Sequence, residues 1–184
     1  MKNVKDDLQE VLLSEEQLQA IVCRIAAEVD ATYSQGDAPL LLVATLKGAV
    51  VFTADLMRQL NTSVDIEFIK ASSYGSGTVS SGNLRIDLDI KREDLSNYHV
   101  LIVEDIIDSG RTLTRLKKHL EDRGAKSVRT CTLLDKPSRR TVPFEADFVG
   151  REIPDAFVIG YGLDYDEKYR DLPFVGVLKP EIYQ

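Results

Sequence analysis

Three carboxylates and a small-residue turn stand together in residues 104–112, Glu-Asp-Ile-Ile-Asp-Ser-Gly-Arg-Thr. Glu104 and Asp105 are adjacent acids at the end of an apolar, β-branched run. Asp108 follows Ile106 and Ile107 and opens the turn. The amides of such a turn, with the N-terminus of a helix behind it, can hold a phosphate. The carboxylates can hold hydroxyls or a hard cation. A sugar phosphate presents all of these groups at once. Leu46-Lys47-Gly48 and Lys136 each follow another apolar run.

Each part also has a plain explanation. An Asp before Ser-Gly often only caps a helix. Adjacent acids after a strand point to opposite sides, which is unusual but also fits a solvated loop. Taken alone, Lys136 before Pro137 reads as a surface lysine and Phe157 as a core residue. Asp164, among Asp166, Glu167 and Asp171, reads as one of a solvated acidic group, and Tyr74 as a surface aromatic. His99 and His119 read as structural.

Chemistry at these positions needs elements to hold it. Ser14-Glu15-Glu16-Gln17 has the form of a capping box. Leu18, Ile21, Val22, Ile25 and Val29 follow at helical spacing, predicting a helix to about Tyr33 that Gly36 and Pro39 break. Residues 40–44 are continuously apolar, as in a buried strand. Residues 49–60 read as a helix and 64–69 as a strand. The Ser- and Gly-rich stretch 71–82 predicts a mobile loop long enough to serve as a lid. Leu84, Ile86 and Leu88 alternate with charged residues, a strand with one wet face. Residues 100–103 form the strand before the acids. A helix is expected from about Thr112 to Arg123, stopped by Gly124. Residues 128–134 form a strand ending at Asp135-Lys136-Pro137. Short strands are expected at 148–149, 157–159 and 174–178.

This βαβ alternation predicts an α/β fold, a twisted, mostly parallel sheet flanked by helices, with a small hood. One domain is expected across residues 1–184. Its core is placed at about 36–150, and its hood comes from the N-terminal segment and about 151–184. Ligands of open α/β sheets sit beyond the carboxyl ends of the strands. Leu46-Lys47-Gly48, residues 104–112 and Lys136 should therefore meet on one edge.

The net charge of −7, from 30 acids against 23 bases, argues against nonspecific nucleic-acid binding. Cys23 and Cys131 are expected to be buried thiols, and nothing resembles a CxxC metal site. The first seven residues carry acids and lack the apolar stretch of a signal peptide. No apolar run approaches the roughly 18 residues that span a bilayer. The expectation is a reducing, cytoplasmic setting with no nucleic-acid or membrane partner.

Residues 104–112 resemble the phosphoribosyl-diphosphate (PRPP) binding motif of type I phosphoribosyltransferases, and are most similar to that of the hypoxanthine(-guanine) members. The resemblance runs from about Ile21 to Leu178. It takes in Leu46-Lys47-Gly48, Ser73-Tyr74, Lys136, Phe157-Val158-Ile159-Gly160-Tyr161, and the string from Asp164 to Arg170-Asp171-Leu172. The last two stretches are the most specific and point to 6-oxopurines.

The resemblance implies Mg²⁺-dependent transfer of a ribosyl phosphate from PRPP to hypoxanthine or guanine, with release of pyrophosphate. It implies that Asp108 is the general base at purine N7. Glu104 and Asp105 would bind the ribose hydroxyls, and Ser109, Gly110, Arg111 and Thr112, with Asp108, the 5-phosphate. Leu46, Lys47, Gly48 and Arg170 would contact pyrophosphate, and the peptide at Leu46-Lys47 is cis in many relatives. Lys136 would donate to purine O6, Phe157 would stack on the base, and the Val158 backbone would read its edge. Asp164 would lie near the base and, with Glu104 and Asp105, take part in holding Mg²⁺. Ser73 and Tyr74 would close the lid. A homodimer or homotetramer is implied. Arg111 stands where vertebrate relatives commonly carry Lys.

Three other readings compete. One is another base on the same scaffold, with Lys136 speaking against adenine and the Phe157 string against pyrimidines. A second is a regulator that keeps the PRPP site and binds nucleic acid, for which no basic arm or helix-turn-helix segment is visible. The third is a plain nucleotide-binding module.

Overall fold

The computed structural model describes residues 4–34, 36–73 and 84–184. In chain order its main elements begin with β1 (Leu8–Leu13), α1 (Glu15–Tyr33), β2 (Leu40–Thr45), α2 (Val50–Gln59), β3 (Val64–Ser73) and β4 (Leu84–Leu88). They continue with β5 (His99–Ile107), α3 (Arg111–Glu121), β6 (Ser127–Asp135), β7 (Phe148–Glu152), β8 (Val158–Ile159), β9 (Val175–Leu178) and α4 (Pro180–Tyr183).

Six strands form one sheet in the order β4-β3-β2-β5-β6-β7. All neighbours are parallel except β3 and β4, which form an antiparallel edge. Alternation along the central strands sends side chains into two cores. Leu40 and Leu42 of β2, with Leu101 and Val103 of β5, pack with α1 and α2. Leu41, Val43, Val100 and Ile102 point the other way and pack with Leu113, Leu116 and Leu120 of α3. Because both faces are covered, these strands read as unbroken apolar runs rather than alternating ones.

The capping box expected at Ser14 is present: Ser14 Oγ accepts from the Gln17 amide, and the Gln17 side chain accepts from the Ser14 amide. A second sheet, β1-β9-β8, forms the hood. It joins the N-terminal segment to the C-terminal one, with Leu8 opposite Leu178.

Several expectations need correction. The strand expected at 100–103 runs on to Ile107, so Glu104 and Asp105 lie within it rather than after it. Its pairing with β6 continues through Glu104↔Thr132 and Ile107↔Asp135. Residues 71–73, expected in the loop, extend β3 because they pair with β4. The rest of the expected lid, 74–82, lies outside the described residues. Cys131 is buried, but Cys23 is exposed. Val22, Ile25, Ala26 and Val29 take the inward face of α1 and leave Cys23 on the outer one. β1 and α4 were not among the expected elements.

Candidate active site

The carboxyl ends of β2 and β5 open onto a cavity of about 270 Å³. Thr45, Leu46, Ala71, the three acids Glu104, Asp105 and Asp108, and the turn leading into α3 line it. Thr45 Oγ1 lies 3.0 Å from Glu104 Oε1 and donates to it, which fixes one carboxylate from the neighbouring strand. Asp105 turns the other way in the pleat. Its carboxylate accepts from the Ile106 amide and presses on Gly48, where any Cβ would run into it. Only glycine allows the Leu46-Lys47-Gly48 segment this close. The Leu46-Lys47 peptide is cis.

Burial is the main force on Glu104. Together with the adjacent Asp105 charge, it pushes this carboxyl well above the usual carboxylate range. Two neighbouring acids, one resisting ionisation, make a site that gains from a cation. Oxygen donors of this kind suit a hard divalent ion whose other ligands are water and phosphate. Among the described residues no three acidic, histidine or cysteine side chains converge as a metal cage. Asp164 is held elsewhere: it accepts from the Glu167 amide at 2.9 Å and pairs with Arg170 at 2.9 Å.

The turn at 108–110 is shaped for an anion. Gly110 caps α3 with φ of 79°, a left-handed conformation that suits glycine. It brings no side chain to cap the helix, so the helix end can serve an anionic ligand. Ser109 Oγ accepts from the Arg111 amide at 3.4 Å, and Thr112 lines the cavity. The Arg111 side chain points to Thr141 and donates to its hydroxyl at 2.9 Å.

Lys136 directly follows β6, beside Asp108. Its amide donates to the Ile107 carbonyl at 3.0 Å, and its Nζ lies 3.6 Å from Asp108 Oδ1. Lys136 is only 6% exposed. The surface-lysine reading is therefore excluded, and an ammonium is held inward next to an acid that is half exposed.

The remaining candidates sit in the hood. Phe157 is partly exposed, stacked on Tyr183 at 4.7 Å between ring centroids and edge-on to Tyr165. Val158 lies in β8, whose pairing with β9 fixes its backbone. Neither lines the cavity. Arg170 donates to the Gly162 carbonyl and pairs with Asp164 and Glu167. Lys47 reaches across from the main sheet to Glu167 at 2.5 Å. That bond holds the Glu167 carboxyl below its ordinary range. Tyr74 lies outside the described residues, and Ser73 ends β3.

The structure thus brings together Leu46-Lys47-Gly48, Glu104 to Thr112 and Lys136, as expected for one sheet edge. Three contributors were not singled out from sequence. Thr45 and Glu167 act through bonds to distant residues. Arg140, near the turn, donates to the Ile107 and Asp108 carbonyls. A second arginine in the short run after Lys136-Pro137 was the one available signal for Arg140.

Fold and site together define a class of enzyme. The family described as "Phosphoribosyl transferase domain" matches residues 9–166. The chain is 49% identical to the hypoxanthine-guanine phosphoribosyltransferase of Bacillus subtilis, covering 98% of this chain and 99% of that one. A solved hypoxanthine phosphoribosyltransferase from Staphylococcus aureus matches at a TM-score of 0.92 and 44% identity, over 100% of this chain and 99% of that one. The chain belongs to the hypoxanthine-guanine phosphoribosyltransferase family. It is also 49% identical, over 99% of its length, to the "Bifunctional protein TilS/HprT" of Listeria innocua, of which it spans 28%.

Proposed function

We propose that this protein is a purine-salvage transferase that joins hypoxanthine or guanine to the ribosyl phosphate of PRPP, releasing pyrophosphate. The carrying observation is the buried Lys136 ammonium 3.6 Å from Asp108, beside a cavity lined by two more acids and a phosphate turn. Purine O6 and N7 are neighbours on one edge of the base. A donor-only group beside a carboxylate matches a 6-oxo oxygen beside a proton-bearing N7. The 6-amino group of adenine would meet Lys136 donor to donor.

In this reading N9 attacks the ribose C1 while Asp108 takes the N7 proton. Positive charge grows on the ribose ring, and Glu104 and Asp105 stabilise it while accepting from the 2- and 3-hydroxyls. Amides of residues 108–112, with the Ser109 and Thr112 hydroxyls, hold the 5-phosphate. Lys47 and Arg170, with the Leu46 and Gly48 backbone, take the pyrophosphate. Phe157 stacks on the base, and the Val158 backbone reads its edge. Mg²⁺ bound with PRPP would neutralise the departing pyrophosphate, with Glu104, Asp105 and, through water, Asp164 as its protein partners. Partly exposed Ile66 and Phe68 on β3 support a homodimer or homotetramer, and the free thiols support a cytoplasmic setting.

Incubation with PRPP, Mg²⁺ and hypoxanthine should yield IMP. No nucleotide from hypoxanthine, guanine or xanthine would overturn the proposal.

A further inference from the structure

We infer that Arg140 and Asp135 form a positioning pair that sets Asp108 against Lys136, a role that rests on the reaction proposed above. Sheet pairing of β5 with β6 ends at Ile107↔Asp135. Asp108 and Lys136 are the next residue on each strand, beyond that pairing. Arg140 spans this gap. Its Nη1 donates to the Asp108 carbonyl at 2.6 Å and to the Ile107 carbonyl at 3.2 Å. Its Nε donates to the Phe144 carbonyl at 3.0 Å, and its Nη2 pairs with the Asp135 carboxylate.

Both side chains are nearly buried, with 15% of Arg140 and 10% of Asp135 exposed. A buried ion pair contributes little net stability when compared with an apolar pair of similar size. What this pair does have is direction. The planar fork fixes the Ile107 and Asp108 carbonyls, at the end of β5 and just past it, relative to a carboxylate on β6, a geometry that an ammonium cannot copy. The Arg140 stem also stands behind the phosphate turn, 3.4 Å from where a Gly110 Cβ would lie. Asp135 is anchored in turn, its carbonyl accepting from the Ile153 amide at 2.8 Å. The pair therefore reaches the base-facing groups without touching the cavity itself.

The test is steady-state kinetics of wild type, R140K and D135N with PRPP, Mg²⁺ and hypoxanthine, with the folded fraction measured by circular dichroism. R140K keeps the charge and the stem but loses the fork. Its kcat per folded molecule should fall roughly tenfold to a hundredfold, as expected for a small misplacement of reacting groups. The KM for PRPP should change by less than about threefold, since neither Arg140 nor Asp135 is among the groups proposed to contact it. D135N still accepts one bond and should fall in the same direction by less. Variants with wild-type kcat overturn the positioning role alone. Activity that falls only in step with the folded fraction overturns it too, because the pair is then a folding element. A wild type that makes no nucleotide from any oxopurine overturns the underlying reaction, and this inference with it.

Discussion

The floor of the site and its hood are built on opposite principles. On the floor, Glu104 and Asp105 lie in β5, and Asp108 and Lys136 directly follow the parallel neighbours β5 and β6. Lys136 is buried, and Glu104 is held by Thr45. In the hood, Tyr161, Asp166, Glu167 and Tyr169 all have positive φ. One ion pair there is open to solvent, with Glu167 64% exposed and Lys47, reaching over from the main sheet, 54%. Left-handed backbone at non-glycine residues costs about 1–3 kcal/mol each and persists only where its surroundings hold it. Here the Tyr161 hydroxyl donates to Asp55 of α2 at 2.6 Å, and that of Tyr169 to Asp7 at 3.0 Å. The floor holds Glu104 and Lys136 by burial, whereas the hood places its charges by backbone shape. Screening by water should therefore make changes at buried Glu104 and Lys136 large and a change at exposed Glu167 small.

The hardest test of that contrast is Asp108→Asn. Turnover should fall about 10²–10⁴-fold as a general base is lost, with PRPP binding little changed. Single-turnover rates and PRPP titration measure the two separately, and unchanged turnover would remove Asp108 from the mechanism. Lys136→Ala comes next. Loss of a charged hydrogen bond to O6 should reduce kcat/KM for hypoxanthine by about 1–3 kcal/mol. Base competition at fixed PRPP should also show the preference for oxopurines weakening.

Glu104→Gln sharpens the comparison through stability. Burial raises the folded-state value of Glu104 above its ordinary 4.5. The stability tied to its protonated form is complete below that ordinary value and is lost as pH rises through the elevated one. The ligand-free variant should therefore melt at the wild-type temperature in acid, near about pH 4, and above it near about pH 8, where its neutral amide avoids a buried charge. Identical melting curves at both values would mean that Glu104 ionises freely. Its turnover should fall too, because the proposed role of Glu104 at the ribose needs an anion.

The smallest effect belongs to the hood. Glu167→Gln removes a solvent-screened pair and should leave the melting temperature almost unchanged. PRPP should bind slightly tighter, since Lys47 and Arg170 lose a competing carboxylate. A loss of PRPP affinity as large as that from Lys136→Ala in oxopurine use would erase the distinction between floor and hood.

The same contrast explains what the sequence made legible. The turn at Asp108, the capping box at Ser14 and the apolar runs of β2, β5 and β6 are local patterns, and the fold class follows from their order. The strand end at Ile107 was missed because two acids look like an exit from a sheet. Pairing with β6 and the bond from Thr45 make them tolerable inside one. Lys136 taken alone reads as a surface residue, and although its place after an apolar run puts it on the same sheet edge as Asp108, nothing beside it in sequence shows that it is buried there. Arg140 was overlooked because most of its partners are backbone carbonyls, which carry no residue-type signature. β1 lacks alternation, and its partner β9 lies near the other end of the chain.

That last pairing governs the order in which the molecule can be completed. As the ribosome delivers the chain, the strand at Leu8–Leu13 is made early but meets its partner only when Val175–Leu178 has emerged. The strands of the main sheet, ending with β7, are all delivered before then, but their core still lacks the Val158, Val175 and Val177 side chains of the hood. Newly made protein passes through a stage with an unpaired edge strand, a surface that invites contact with chaperones or with other nascent chains.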